Sequence, residues 1–387
     1  MSNYIRRNKK SNNSNELMQV DIVSKDVKIK KKNNILLTGA TGFLGIHILS
    51  ELLNTTENNI YCIIRQTNDI LPEERLINKY KYYFEKENLK AFINKRIFIF
   101  NGDLTKSNFN MEEKDYKKIT SKIDIILNVA AAVTHYGNRQ YSYECNVVST
   151  QNILKFAQDS GALVNHISTI GLAGNNLLNT NGCVKDSFSE NDLIIGQKYN
   201  ENVYISTKLE AEKLIIEKIK SNEINANILR VGNLMNRYSD NLFQDNKNSN
   251  AFQNKMKEII KIKSVPKEII NFSFDLTPVD LCAKAVVKLI LFEKYDNVYH
   301  VLNDYELEFN AIMEMLNELN IDINVIEIKD LLKDKDASKW LINDFLLKNK
   351  RKIIIDSEKT RKILEKLNFK WEIDNQYYIN VFKSIIE

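Results

Sequence analysis

The segment NNILLTGATGFLGIHILSELL, residues 33–53, places three glycines at intervals of three residues between an apolar run and a helical pattern. Residues 35–39, ILLTG, are almost continuously apolar, which is typical of a strand buried on both faces. Residues 45–53 repeat apolar side chains at helical spacing. A strand, a glycine turn and a helix in direct succession predict the first unit of a doubly wound α/β fold.

The same alternation continues along the chain. Strand-like runs occupy residues 60–65, 96–104, 123–131, 163–169 and 227–233, and helical patterns between them include residues 146–160 and 206–219. Strands that alternate with helices predict a parallel Rossmann sheet over residues 33–234. A helix and a strand within 276–303 are expected to return to this sheet. Residues 235–275 and 304–387 are predicted to form a smaller, mainly helical substrate lobe.

The positive charge of the chain is concentrated at its amino end. Residues 1–32 hold nine Lys/Arg and three Asp/Glu, whereas the other 355 residues hold 46 and 47. This polar, basic stretch predicts a flexible arm or linker. The nearly neutral remainder carries no basic patch with interleaved aromatic residues, so we predict no nucleic-acid partner.

The composition is that of a globular protein, with 43% hydrophobic and 27% charged residues. No apolar run reaches membrane-spanning length and the first residues lack a secretion signal, so we expect a cytoplasmic protein with no membrane association. The four cysteines and four histidines are widely scattered, which fits a reducing compartment and predicts no metal site.

The glycine turn predicts a dinucleotide site. Its first glycine permits a tight turn, the second lets the backbone approach a pyrophosphate, and the third lets the helix pack closely on the strand. The helix amino terminus then offers N–H groups to the phosphates. The residues predicted to contact the cofactor here are Thr38, Gly39, Thr41, Gly42, Phe43, Leu44 and Gly45. The alternative is an ordinary strand-to-helix turn.

Arg65 ends the second predicted strand, where NAD-selective enzymes place an acidic residue. A guanidinium suits a ribose 2′-phosphate, so the sequence favours NADPH. Arg75, on the following helix, is a second candidate phosphate contact. The alternatives are that both arginines are ordinary surface residues, or that Asp69 is a displaced ribose-binding acid.

Two further stretches extend the predicted cofactor site. Asp103 and Leu104 follow the third strand in NGDL, and the Asp103 carboxylate could accept a hydrogen bond from the adenine amino group or cap a turn;. Ala130 and Ala131, in NVAAAV after the fourth strand, are small enough for the backbone to lie against a flat cofactor.

Tyr204 and Lys208 share one face of a predicted helix because they are four residues apart;. A tyrosine hydroxyl holds its proton to about pH 10, and a nearby ammonium is expected to lower that pKa and to hold the nicotinamide ribose. Ser168 and Thr169 end a strand upstream, and one of their hydroxyls is expected to orient the substrate oxygen. The three elements together predict a proton-transfer site.

These stretches, in this order, resemble the extended short-chain dehydrogenase/reductases. The closer similarity is to the thioester reductase domains that end nonribosomal peptide synthetases and carboxylic acid reductases. It rests on ILLTGATGFLGIHIL, NGDL, NVAAAVTHYGNRQYSYECNVVSTQNIL, HISTIGLAG, FSENDLIIGQKYNENVYISTK, LRVGNLMNRYSDNLFQDN and TPVDLCAKAVVKL. The similarity covers residues 33 to about 295, and the carboxyl-terminal third matches more loosely.

The resemblance implies NADPH-dependent release of an acyl or peptidyl chain from the phosphopantetheine arm of a carrier protein. The product would be an aldehyde, with a second reduction to the alcohol left open. Tyr204 would protonate the oxyanion and Thr169 would hydrogen-bond to it. Thr169 is preferred to Ser168 because it stands five residues before Gly174, as the family's active hydroxyl stands before its glycine.

Other interpretations remain open. The chain shows no adenylation or carrier domain, so it would act as a monomer in trans or as part of a larger synthetase. An extended reductase or epimerase for a soluble nucleotide sugar or small carbonyl is the alternative enzyme. A non-catalytic NADP-sensing regulator is a third possibility, although such proteins tend to lose the tyrosine–lysine pair.

Overall fold

The computed structural model describes residues 17–67, 69–85, 87–133, 138–173, 185–197, 199, 202–246, 250–270, 272–333 and 353–386. Within these residues the central element is a seven-stranded sheet in which every neighbouring pair is parallel. Its strands are β1 (Asn34–Thr38), β2 (Asn59–Ile64), β3 (Ile97–Asn101), β4 (Ile125–Asn128), β5 (Leu163–Thr169), β6 (Ala226–Val231) and β7 (Asn297–Val301).

The strand order is β3-β2-β1-β4-β5-β6-β7. From β1 the chain adds β2 and β3 on one side of the sheet and β4 to β7 on the other side. The carboxyl ends of β1 and β4 therefore flank a crevice;. Thr38 of β1 lies in register with Asn128 of β4 at this point. The order and the parallel pairing confirm the predicted doubly wound fold.

Helices cover both faces of this sheet. In chain order the helices are α1 (Phe43–Thr55), α2 (Pro72–Tyr83), α3 (Glu113–Thr120), α4 (Arg139–Tyr143), α5 (Ser149–Ser160), α6 (Val203–Lys220), α7 (Ala251–Ile262), α8 (Val279–Ile290), α9 (Phe309–Glu318), α10 (Ile328–Leu331), α11 (Glu358–Lys366) and α12 (Asn375–Ile386). Helices α3, α5 and α6 pack on one face of the sheet and α1, α2, α8 and α11 on the other. Burial on both faces explains the apolar runs of β1, β2 and β4;.

A second apolar cluster forms a smaller lobe from α7, α9, α10 and α12. Three pairs of short strands connect its segments: Leu234–Met235 pairs with Thr277–Pro278, Ser264–Pro266 with Asn324–Ile326, and Ser273–Asp275 with Glu306–Glu308. Residues 304–387 were predicted to belong to the lobe, but the structure divides them between the lobe and the Rossmann body. Leu364 of α11 and Phe369 are buried against the Rossmann body, because α11 packs on α8 and β7.

The predicted flexible arm requires a correction. Residues 1–16 lie outside the described residues, but residues 17–32 lie along the Rossmann body. Leu17–Gln19 pairs antiparallel with Asp192–Ile195, and Lys25–Asp26 pairs with Lys294–Tyr295. Val20 is buried. Ile22 and Ile29 are partly buried against the core as well. Backbone pairing and these apolar contacts hold a segment whose composition alone indicates a flexible chain.

Across the described residues, no helix combines the length and the apolar character that a membrane crossing requires.

Candidate active site

The glycine turn between β1 and α1 has little room for side chains. Gly39 adopts φ +69°, and a Cβ there would lie 2.7 Å from the Ala130 nitrogen. A Cβ on Gly45 would lie 2.1 Å from the Gly39 carbonyl oxygen. The Gly42 N–H donates to that same oxygen over 2.8 Å and closes the turn. Both Gly39 and Gly45 are therefore required by close backbone approach.

The turn places the amino terminus of α1 at the crevice. Gly42 occupies the cap position and has no side chain with which to satisfy the first N–H groups of the helix;. Together with the helix dipole, these N–H groups form a cradle that fits the pyrophosphate of a dinucleotide.

The crevice opens into a cavity of about 1090 Å³ at the carboxyl ends of the strands. It brings together almost all the residues predicted from the sequence. The predicted residues that line it are Gly39, Thr41, Gly42, Phe43, Leu44, Gly45, Arg65, Arg75, Asp103, Leu104, Ala130, Ala131, Thr169, Tyr204 and Lys208.

Thr38 lies behind the cavity wall rather than on it, contrary to the prediction that it contacts the cofactor. Its side chain is fully buried, and its hydroxyl donates to Asn128 Oδ1 over 2.7 Å. The Thr38 hydroxyl oxygen in turn accepts hydrogen bonds from the N–H groups of Val129 and Ala130 at 3.1 and 3.2 Å. Thr38 therefore supports the wall that follows β4.

Two arginines meet at the end of β2. Arg65 has a side chain that is 52% exposed. Arg75, on α2, donates a hydrogen bond to the Arg65 carbonyl oxygen. Burial and the neighbouring positive charge of Arg65 lower the pKa of Arg75. Two guanidinium groups that repel each other beside a cavity form a site suited to an anion.

Asp103 makes the turn contact that was one of its two predicted roles, and the adenine contact stays a prediction. Its Oδ1 accepts hydrogen bonds from the Thr105 N–H and hydroxyl at 3.0 and 2.8 Å, which is a turn-forming contact. Its Oδ2 lies 3.9 Å from Arg65 Nη1 at the cavity. The carboxylate is thus held in place by the turn while its other oxygen lies near Arg65.

Tyr204 lies near the start of α6, which begins after Asn202. The Asn202 side chain accepts a hydrogen bond from the Ile205 N–H over 3.1 Å and caps the helix. The Tyr204 hydroxyl is hydrogen-bonded to Thr169 at the end of β5. Burial raises the pKa of Tyr204 to about 12, and the contact with Thr169 opposes this rise. The phenol is therefore protonated at neutral pH.

Lys208 lies one turn further along α6, and its side chain is buried. Its Nζ donates to the Ile167 carbonyl oxygen over 2.7 Å. Burial lowers the pKa of Lys208 to about 8, and the charge of Glu212 opposes this change. The sequence predicted that Lys208 would lower the pKa of Tyr204, but desolvation of the phenol dominates in this structure.

The structure distinguishes the two hydroxyls at the end of β5. Thr169 lines the cavity beside Tyr204, and its Oγ1 accepts a hydrogen bond from the Gly171 N–H over 3.1 Å. The Ser168 hydroxyl is fully buried and has no hydrogen-bond partner among the described residues. Gly174, on which the preference for Thr169 was based, lies outside the described residues.

Asn146 is a site residue that the sequence reasoning missed. It lies in a π-helical turn, Glu144–Val148, between α4 and α5. Its side chain accepts from the Ala132 N–H over 2.7 Å and donates to the Ala132 carbonyl and the Thr207 hydroxyl at 3.0 and 2.9 Å. Asn146 therefore connects the cavity wall that follows β4 to α6 through hydrogen bonds. A polar residue on the buried face of an apolar helix was the available signal.

The lobe completes the cavity. Phe252 of α7 lines it. Phe243 is buried and packs on Phe43 with 5.6 Å between ring centroids. Tyr238 packs on Tyr377. The latter two therefore belong to the packing of the surrounding elements.

Comparisons with known proteins agree with this architecture. The NAD-binding family described as Male sterility protein matches residues 37–286. Probable polyketide synthase 34 of Dictyostelium discoideum is 25% identical over 358 residues, which are 83% of this chain and 11% of that protein. Glycine betaine reductase ATRR of Emericella nidulans is 24% identical over 74% of this chain and 22% of its own length. The chain thus spans only a small part of these relatives.

A solved thiolation-reductase di-domain from an archaeal non-ribosomal peptide synthetase is 30% identical to this chain. The match covers 100% of this chain and 82% of that one, with a TM-score of 0.81. The Aureusimine cluster reductase domain, at 23% identity and a TM-score of 0.77, covers 94% and 93% and shares the fold. The chain therefore belongs to the Male sterility protein family of NAD-binding proteins, as a reductase domain of the extended short-chain dehydrogenase/reductase superfamily and an oxidoreductase with a nicotinamide cofactor.

Proposed function

We propose that this chain uses NADPH to release an acyl or peptidyl chain, as an aldehyde, from a thioester on the phosphopantetheine arm of a carrier protein. The observation that carries the proposal is the hydrogen-bonded pair of Thr169 and Tyr204 hydroxyls in the same cavity as the glycine turn. A thioester carbonyl needs hydrogen-bond donors at the oxygen on which negative charge develops, and two hydroxyls supply them.

The residues around the cavity fit the cofactor. The N–H groups at the start of α1 would hold its pyrophosphate, and the small side chains of Ala130 and Ala131 leave space for a flat ring. Lys208 has two further N–H donors beyond the one bonded to Ile167 and would hold the nicotinamide ribose;. When bound, NADPH supplies the hydride that, together with one proton, converts the thioester to an aldehyde and the free thiol of the arm.

Arg65 and Arg75 support NADPH over NADH. A ribose 2′-phosphate would lie between two guanidinium groups and would offset their mutual repulsion;. NADH offers a hydroxyl at that position, which leaves the repulsion in place. We therefore infer a cofactor preference that depends on these two side chains.

The chemistry of the chain's own residues follows from their burial. Tyr204 is a neutral phenol, so it donates a hydrogen bond to the substrate oxygen and then transfers its proton as the oxygen becomes an alkoxide;. Thr169 donates a second hydrogen bond to that oxygen. The positive charge of Lys208 stabilises the phenolate that remains. The resulting thiohemiacetal then collapses to the aldehyde and the thiol.

A carrier-protein partner and a synthetase context are supported by the relatives, which include reductase domains named for nonribosomal peptide and polyketide pathways. The similarity to UDP-glucuronic acid 4-epimerase, at 18% identity and a TM-score of 0.61, concerns the fold alone. It gives the nucleotide-sugar alternative no separate support.

The test is to incubate the protein with NADPH and a panel of acyl-pantetheine and carrier-bound acyl thioesters. Absorbance loss at the NADPH band gives the rate, and mass spectrometry identifies aldehyde or alcohol. Tyr204→Phe should lose at least about 100-fold in rate, because general acid catalysis contributes on that order. Tyr116→Phe is the matched control, since Tyr116 is a buried tyrosine bonded to Asp159 outside the cavity.

Two outcomes would contradict the proposal. The first is an absence of NADPH consumption by the unaltered protein with every thioester. The second is an undiminished rate in Tyr204→Phe. Turnover of free nucleotide sugars in place of thioesters would instead favour the alternative enzyme.

A further inference from the structure

Lys208 carries a positive charge in the buried wall of the cavity. Its side chain is 2% exposed, and its Nζ is bonded to the neutral carbonyl of Ile167. A buried ammonium loses its hydration and is stable only with a compensating charge nearby. Glu212 follows Lys208 by four residues on α6, so both side chains lie on the same face of the helix;.

Glu212 is fully buried and is held by Arg230 of β6. Arg230 Nε lies 3.1 and 3.2 Å from the two carboxylate oxygens, and Nη2 lies 2.8 Å from Oε2. Arg230 is also fully buried, and its guanidinium lies 4.8 Å from the centre of the Phe188 ring. Without Arg230, Glu212 would be a buried carboxylate that has lost this ion pair, which is energetically costly;.

His300 of β7 orients Arg230 from the other side. Arg230 Nη1 donates to His300 Nε2 over 3.2 Å, and His300 Nδ1 donates to the Asp356 carbonyl oxygen over 2.8 Å. A guanidinium only donates, so Nε2 is the accepting nitrogen and the ring is neutral. Burial and the charge of Arg230 hold the pKa of His300 well below its usual value. The His300 ring stacks on Phe188.

The helix that carries Lys208, α6, packs on β5 and β6. The titratable and charged groups on these elements that face this region are Tyr204 and Glu212 on α6, His166 on β5 and Arg230 on β6. Arg230 and His300 of β7 are reached through Glu212. Burial and the charge of Lys208 lower the pKa of His166, which is therefore neutral. Burial keeps the Tyr204 phenol protonated. Within this set of groups, Glu212 supplies the negative charge.

We propose that Glu212, ionised and oriented by Arg230 and His300, is the counter-charge that keeps Lys208 positively charged in the cavity wall. Glu212 is a positioning residue, because it acts through Lys208 and does not line the cavity. The His300–Asp356 contact extends this chain of groups to the segment that precedes α11. The importance of the Lys208 charge for reduction rests on the proposed function, whereas its dependence on Glu212 does not.

The experiment titrates Lys208 directly. Protein labelled with ¹³C at the lysine ε-carbon is followed by NMR from pH 6 to 11 without cofactor, and the Lys208 signal is identified by its loss in Lys208→Met. Glu212→Gln should lower the Lys208 midpoint by on the order of one pH unit, because an opposite charge close by shifts a pKa by at least that amount. The pH above which NADPH binding weakens should fall by the same amount.

Glu190→Gln is the matched control. Glu190 is a buried carboxylate that accepts hydrogen bonds from the Thr360 N–H and hydroxyl at 3.0 and 2.9 Å. It should leave the Lys208 midpoint unchanged. If Glu212→Gln does not fold, the double variant Glu212→Gln/Arg230→Met removes both charges and should lower the midpoint by a smaller amount.

An unchanged Lys208 midpoint in the folded variants would overturn the inference. A lowered midpoint with unaltered NADPH binding and reduction would support the counter-charge and would instead contradict the role that the proposed function assigns to Lys208.

Discussion

Replacing Arg65 by glutamine should weaken the preference for NADPH over NADH without removing cofactor binding. Charge-assisted hydrogen bonds contribute about 1.5–3 kcal/mol. Because the Arg65 side chain is 52% exposed, solvent screening favours the lower end, about 1.5 kcal/mol;. That value corresponds to about a tenfold rise in the Kd for NADPH. The Kd for NADH should change little, because NADH carries no charge at the ribose 2′ position.

The assay is a fluorescence titration of the protein with each reduced cofactor at two salt concentrations. Arg75→Gln should act in the same direction, and the two changes should not be additive because the side chains share one site;. The tenfold difference should shrink at high salt, since exposed charges are screened. Arg361→Gln is a control, because Arg361 pairs with Glu365 on α11.

The reasoning would be refuted if Arg65→Gln weakened NADPH and NADH equally. It would also be refuted if the variant left NADPH affinity unchanged at low salt. Equal weakening would mean that Arg65 supports the shape of the site rather than reading the 2′-phosphate.

Two further predictions concern the wall of the cavity and its charge. Asn146→Ala should lower the free energy of unfolding by about 2–4 kcal/mol, because it leaves buried groups of Ala132 and Thr207 without their partner;. Urea denaturation measures this, and a loss no larger than that of Gln158→Ala, at an exposed site on α5, would contradict it. Reduction should decline as the pH rises through about 8, where Lys208 loses its proton. Between that pH and about 10.4, the unfolded lysine binds the proton that the folded one has lost, so the contribution of Lys208 to stability should rise with pH. The free energy of unfolding is measured as a function of pH for the unaltered protein and for Lys208→Met. If the two proteins show the same pH dependence, the lowered pKa of Lys208 is contradicted.

The sequence alone determined the sheet and the order of its parts. Strands buried on both faces favour apolar residues at successive positions, so β1 and β2 are readable as apolar runs;. The glycine spacing follows from backbone contacts as close as 2.1 Å, which exclude any other residue. The Tyr204–Lys208 spacing follows from helix geometry. Each of these patterns is imposed by local structure and is therefore visible in a short window of sequence.

Tertiary structure decided which side chains reach the cavity and what charge they carry. Thr38 directly precedes the glycine turn, yet it lies in register with Asn128 of β4 and its hydroxyl donates to the Asn128 side chain. Residues 17–32 are polar and basic, yet pairing with strands distant in sequence holds them on the body. The pKa values of Tyr204 and Lys208 depend first on their burial, which Thr169 opposes for Tyr204 and Glu212 opposes for Lys208. Desolvation depends on all the atoms packed around a group, so it cannot be predicted from the spacing of two residues on one helix.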